Sequence, residues 1–172
     1  QAREQQRSQH QAHRGAERIA RELDQGGIPS LPYFRGRVAF HTYRAPGQNH
    51  AALFVRDLEG KEPARVVLDP NGWSADGTEG MPDWFPSPDG RYVAYQRDAK
   101  GSEDTTLYVH DVQSGQTLPD VITRTKFTRV VWRPDARSFY YTRLPDPDDV
   151  PKAERQYHRR VYLHVLGTAV QD

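Results

Sequence analysis

The feature that most constrains this chain is an internal repeat. Gly36-Arg37-Val38-Ala39-Phe40 aligns with Gly90-Arg91-Tyr92-Val93-Ala94 at an offset of 54 residues, and Leu53-Phe54-Val55-Arg56-Asp57-Leu58 aligns with Leu107-Tyr108-Val109-His110-Asp111-Val112 at the same offset. Pro88-Asp89 recurs as Pro134-Asp135, 46 residues on, and each copy is followed by an aromatic run, Tyr92 to Tyr95 and then Phe139 to Tyr141. The run Val161-Tyr162-Leu163-His164 matches the Leu107 run, again at 54, with the surplus taken up by a polar insertion from Pro145 to Tyr157. A unit of this length must fold as one supersecondary element that buries its faces against its neighbours.

Within each unit the periodicity is that of short β-runs. The expected strands are Arg37 to Tyr43, Ala51 to Asp57, Ala64 to Leu68, Arg91 to Arg97, Thr105 to Val112, Thr128 to Trp132, Ser138 to Arg143 and Arg160 to Leu166. Between them lie turn signals such as Pro46-Gly47, Pro70-Asn71-Gly72, Pro88-Asp89-Gly90, Ser114-Gly115 and Pro134-Asp135. Tyr92 to Tyr95 is apolar on both sides, which an interior strand between two sheets tolerates and a solvent-facing sheet does not. These features predict an all-β fold built as β-propeller blades. Trp84 and Trp132 are expected to pack between blades. The 136 residues from Arg37 onward make somewhat under three units, whereas propellers typically use four to eight blades. The chain is therefore expected to be a partial propeller of about two to three blades, ending in an open edge and an uncovered apolar face.

Ahead of the repeats, Gln1 to Gly27 is rich in Gln, Arg and Ala and closes on Gly26-Gly27, which predicts an N-terminal α-helix. The expected organisation is a helical segment over residues 1–30 and a partial propeller over 31–172. Composition excludes several functions. With no cysteine, neither a disulfide framework nor a thiolate zinc site is possible. A formal charge of +1 gives no global pull toward nucleic acid or anionic lipid, and no apolar run reaches the length of a membrane span or a signal-peptide core. No nucleic-acid or membrane partner is expected, and the expected compartment is the cytoplasm.

An ordered set of motifs then points to a family. Val67-Leu68-Asp69-Pro70-Asn71, Ala75-Asp76-Gly77-Thr78 and Pro86-Ser87-Pro88-Asp89-Gly90-Arg91-Tyr92-Val93-Ala94-Tyr95 come first. Gly101-Ser102-Glu103, Leu118-Pro119-Asp120-Val121-Ile122, Lys126-Phe127 and Phe139-Tyr140-Tyr141-Thr142-Arg143 follow. Tyr157-His158-Arg159-Arg160-Val161-Tyr162 and His164-Val165-Leu166-Gly167-Thr168 complete the set. In this order and spacing, residues 28 to 172 resemble the N-terminal propeller of the prolyl oligopeptidase family of serine peptidases. The resemblance implies a seven-bladed propeller capping an α/β-hydrolase domain that carries a Ser, Asp and His triad and cuts short peptides after proline. The propeller would act as a size filter, and the helix would wrap onto the hydrolase domain. The implied partners are oligopeptide substrates, the hydrolase domain and the remaining blades. The resemblance also places Phe127 against the subsite for the residue two before the cleaved proline; the residues alone equally allow a blade-packing aromatic.

No catalytic residue carries over. The chain has no Gly-x-Ser-x-Gly elbow; the nearest approach, Gly72-Trp73-Ser74-Ala75-Asp76, ends in Asp, and Ser74 is expected to be a loop serine. The chain alone is therefore expected to be inactive. No metal or cofactor is expected. The acidic stretch from Asp69 to Gly80 lacks the bidentate Glu of a calcium loop, and the histidines, His10, His13, His41, His50, His110, His158 and His164, form no His-Glu-x-x-His pattern. Arg155, His158, Arg159 and Arg160 suit either anion binding or the solubility of a strand edge. Two other readings stand beside the peptidase: a non-catalytic propeller-type interaction module, and the propeller of a related oligopeptidase that cuts after basic residues.

Overall fold

The computed structural model describes residues 26–99 and 104–170. The helix expected over Gln1 to Gly27 lies outside the described residues apart from Gly26 and Gly27, as does the Gly101-Ser102-Glu103 motif. The described residues are all-β, with two 3-10 turns, Pro70–Gly72 and Lys152–Glu154, and no α-helix. They form three antiparallel sheets, in two compact units that meet in sequence at Gly77 and Thr78.

The first unit holds β1 (Ile28–Pro29), β2 (Tyr33–Arg35), β3 (Val38–Arg44), β4 (Ala52–Asp57) and β5 (Arg65–Leu68). Strands β1 and β2 both pair with β3, which pairs in turn with β4 and β4 with β5. Ala39, Phe40, Ala52, Leu53, Val55, Val67 and Leu68 are its buried apolar residues. Gly27 lies so close to Tyr43 that a Cβ there would stand 2.4 Å from the ring and force that side chain to move.

The second unit holds two sheets. One runs β6 (Trp84–Pro86), β7 (Tyr92–Asp98), β8 (Thr105–Asp111), β9 (Gln116–Ile122); the other runs β10 (Val131–Trp132), β11 (Ser138–Arg143), β12 (Arg160–Val165). They face one another through Ala94, Leu107, Val109 and Ile122 on one side and Val130, Phe139 and Tyr141 on the other. Trp132 fills the inner end of this interface. Its ring stacks on Tyr92 at 6.3 Å and meets Phe139 edge-on at 4.9 Å, while its indole N–H donates to the Phe85 carbonyl at 2.9 Å. An aromatic with one polar atom suits a mostly dry seam when that atom finds a partner, as here. The Arg129–Asp83 ion pair adds an exposed link between the same two sheets.

The repeat holds at the level of side chains. Tyr95 and Tyr108 stack at 5.7 Å and 27°, and their repeat equivalents Tyr141 and Tyr162 stack at the same 5.7 Å and 27°. Arg97 lies over Tyr108 as Arg143 lies over Tyr162. The turn that enters β3, β7 and β11 repeats as well: Gly36, Gly90 and Ala136 all have left-handed backbones, with φ of 52°, 74° and 54°.

The outer strand β9 departs from regular pairing. Tyr108 pairs with Val121 and His110 with Thr117, so Leu118, Pro119 and Asp120 stand opposite Val109 alone. A proline cannot donate to the ladder, and the bulge absorbs it. Buried Asp120 there reaches the next sheet: its Oδ1 accepts from His164 Nε2 at 2.6 Å and from the Gly167 N–H at 2.7 Å.

The third sheet has three strands, and β12 lies at its edge. On the face turned away from the second sheet, Val131, Tyr140, Val161, Leu163 and Val165 are exposed. At the repeat offsets, Val131, Tyr140, Val161 and Leu163 correspond to Phe85, Ala94, Leu107 and Val109, the residues with which the second sheet meets the third. The open edge and uncovered apolar face expected from the repeat count are thus present.

Two sequence expectations are corrected in detail. The strand expected over Thr128 to Trp132 is only Val131–Trp132, because Thr128 N–H turns back to the Thr125 carbonyl and its hydroxyl accepts from Thr142 N–H, leaving no extended ladder before Val131. Strands β1, β2, β6 and β9 are additional to those expected.

Candidate functional site

The connections that leave β9 and β11 lie together, joined by bonds between them. The first, residues 123–130, carries Lys126-Phe127. The second, residues 144–159, contains the polar insertion. Three bonds join them: Leu144 N–H donates to the Arg124 carbonyl at 3.0 Å, Arg124 pairs with Asp146, and Arg159 Nη1 donates to the Phe127 carbonyl at 3.0 Å.

Four residues other than glycine have left-handed backbones among the described residues, and three of them, Arg124, Phe127 and His158, lie on these two connections, with φ of 61°, 55° and 59°. Such conformations cost on the order of 1–3 kcal/mol each and persist only where surrounding bonds impose them. At Phe127 the Arg159 guanidinium supplies such a bond. At Arg124 the main-chain bond from Leu144 and the ion pair to Asp146 do so.

Phe127 is 69% exposed, so its ring lies outside the inter-sheet core. Lys126 Nζ sits 5.0 Å from the ring centroid, close enough for a cation–π attraction. Beside this platform is a cavity of about 520 Å³ lined in part by Arg124, Arg143, Asp146, Glu154, His158 and Arg160. His158 Nε2 meets Glu154 at 2.7 Å. The backbone N–H of Asp148, and next the Arg124 guanidinium, hold the Asp146 carboxyl below the usual aspartate range, so it is an anion at neutral pH.

The other residues singled out in the sequence have structural surroundings. Ser74 lies in a turn whose carbonyl accepts from the Gly77 N–H, with no following helix. Asp69 caps the Pro70–Gly72 turn, accepting from the Asn71 backbone and side chain. His50 bonds the Gly77 carbonyl, His41 stacks on Phe54, and His110 and His164 are buried. Among the described residues, no three His, Cys, Asp or Glu side chains are gathered as a metal would need. Arg155 donates to the Pro147 carbonyl. Nothing in the basic cluster marks Arg159 as the residue that grips Phe127, because the bond spans 32 residues.

The family model for the prolyl oligopeptidase N-terminal β-propeller domain matches residues 5–172. The chain belongs to this family. Among relatives of the propeller family, prolyl oligopeptidase A of Galerina marginata is 32% identical over 143 residues, which cover 73% of this chain and 19% of the relative. The prolyl endopeptidase of Elizabethkingia miricola is 29% identical over 142 residues, covering 81% of this chain and again 19% of the relative. A solved chain from a structural and mechanistic study of two prolyl endopeptidases superposes with a TM-score of 0.78 at 31% identity, over 93% of this chain and 25% of that one. The chain thus spans about a fifth of the length of the curated relatives it matches.

Proposed function

We propose that the chain supplies the first blades of the propeller of a serine endopeptidase that hydrolyses short peptides on the carboxyl side of proline. The remaining blades and an α/β-hydrolase domain would be its partners within that enzyme, and oligopeptides its substrates. In that setting a serine, activated by a neighbouring base, attacks the carbonyl of the proline, and an oxyanion hole stabilises the resulting tetrahedral charge. The propeller restricts that site to flexible, short chains. None of this chemistry is assigned to the present residues, which lack a nucleophile elbow. Their contribution is access and recognition, with Phe127 lining the subsite for the residue two before the cleaved proline.

One observation carries the reading: the family match extends over residues 5–172, and within it Phe127 stands exposed on a backbone fixed from a second connection. The test is to read the gene onward from residue 172. Further sheet repeats followed by an in-frame Gly-x-Ser-x-Gly elbow are expected; repeats alone, or an immediate stop, overturn the peptidase reading in favour of an interaction module. A second measurement bears on the chain itself. Incubated with a proline-containing chromogenic peptide it should give no turnover, and hydrolysis blocked by a serine-directed inhibitor would show that the chemistry resides here after all.

A further inference from the structure

The chain holds two asparagines, and only Asn71 is followed by glycine. An Asn-Gly pair is the least hindered sequence for one spontaneous reaction, because glycine carries no side chain to shield its nitrogen. The glycine main-chain nitrogen attacks the asparagine side-chain carbonyl carbon, ammonia leaves, and the cyclic imide takes up water to give aspartate or isoaspartate. Here the pair sits in the 3-10 turn Pro70–Gly72, just after the outer strand β5. Helical dihedrals turn the Gly72 nitrogen away from the Asn71 side chain, so ring closure requires the turn to open.

The Asn71 side chain is also engaged on both of its polar atoms. Its Oδ1 accepts from the His50 N–H at 3.1 Å, and its Nδ2 donates to the His50 carbonyl at 3.0 Å and to Asp69 Oδ1 at 2.8 Å. One amide thereby ties the loop between β3 and β4 to the chain leaving β5. Asp69 Oδ1 accepts from the Asn71 N–H as well, at 3.0 Å, and the Trp73 N–H closes the turn onto the Pro70 carbonyl at 3.1 Å. Gly72 is exposed, and a Cβ there would meet nothing within 4 Å.

We propose that Asn71 is a deamidation site which the fold holds closed, and that its conversion permanently unties the β3–β4 loop. This inference stands apart from the peptidase reading. In the product a carboxylate replaces the amide, so the His50 carbonyl loses its donor. A negative charge also stands where Nδ2 had met the Asp69 carboxylate, and the two repel. Isoaspartate adds a methylene to the main chain inside a three-residue turn, which carries the Trp73 N–H out of register with the Pro70 carbonyl. The contacts that restrain the reaction are thus the ones its product destroys.

The test is a time course of the 172-residue chain at neutral pH beside a synthetic peptide of residues 67–74, with conversion at residue 71 read by peptide mapping. The change from amide to acid distinguishes it by mass from isomerisation at Asp76-Gly77 or Asp89-Gly90, which alters no mass. The peptide is expected to convert about a hundredfold faster than the folded chain, the scale of two or three hydrogen bonds that must open first. Asp69→Ala should speed the chain about fivefold and leave the matching peptide unchanged. Gly72→Ala, for which there is room, should suppress conversion with the His50 amide shift unmoved. In the converted chain, hydrogen exchange at the His50 amide should quicken. Equal rates in chain and peptide, or a chain rate that ignores Asp69→Ala, would overturn the protective contact; His50 exchange as slow after conversion as before would overturn the untying.

Discussion

Aspartates carry much of the local order in this chain by accepting main-chain N–H groups. Asp57 accepts from Glu59 and Gly60, and its repeat equivalent Asp111 accepts from Gln113 and Ser114. Asp135 accepts from the backbone of Arg137 and from both backbone and hydroxyl of Ser138. The Glu59 N–H chiefly holds the Asp57 carboxyl low, and the Arg137 N–H does so for Asp135. At Asp111 burial pushes upward but is outweighed by the Ser114 and Gln113 N–H groups and by Arg91. A carboxyl depressed on folding contributes stability that is complete above its unfolded value near 3.9 and is lost as pH falls through the folded one. Thermal melts should therefore hold level above about pH 5 and fall below about pH 4, and Asp135→Asn should flatten that acid limb. The left-handed turn positions give a second expectation. Gly90→Ala should cost about 1 kcal/mol through backbone strain, while Ala136→Gly, which relieves the same strain but loses a buried methyl, should change stability little in urea denaturation.

At the scale of elements, the structure divides strands that announce themselves from strands that do not. Runs such as Tyr92–Asp98 and Ser138–Arg143 are long, aromatic and bounded by Pro-Asp turns, and their positions were readable within a residue or two. The inner strands β2 and β6 are three residues each, too short to show alternation, and β9 is masked by Pro119 and by its polar residues. Only pairing with a longer neighbour makes these segments strands. The same division holds at the candidate site: Lys126-Phe127 was legible as a motif, but the left-handed backbone and the Arg159 clamp arise from bonds between segments distant in sequence. For the contact between the second and third sheets, the two-sided apolar run Tyr92 to Tyr95 and Trp132 were legible in the sequence, but the cross-links from Asp120 to His164 and Gly167 were not. Asp120→Ala, which strips buried His164 of its acceptor and leaves the Gly167 N–H unanswered, should cost about 1–3 kcal/mol for each donor left without a partner. Trp132→Ala, which empties the inner end of the seam, should cost about 3 kcal/mol. Both losses are measurable as shifts in urea midpoint at constant slope.

Taken as a whole, the polypeptide is a series of similar sheets whose last member presents the surface on which another could settle. Studied as these 172 residues it exposes Val131, Tyr140, Val161, Leu163 and Val165 together, and a contiguous apolar face open to water favours association. Sedimentation velocity is expected to show mass rising with concentration, and Leu163→Lys to suppress that rise while leaving the melting temperature within a degree or two; a chain that stays monomeric at high concentration would count against it. The correspondence between Val161 and Leu107 and between Leu163 and Val109 has an evolutionary side too. Because the third sheet repeats on its free face the pattern by which the second sheet seats it, tandem duplication of the gene could lengthen such a molecule without inventing a new interface, and divergence need only have tuned the loops that meet the outside world.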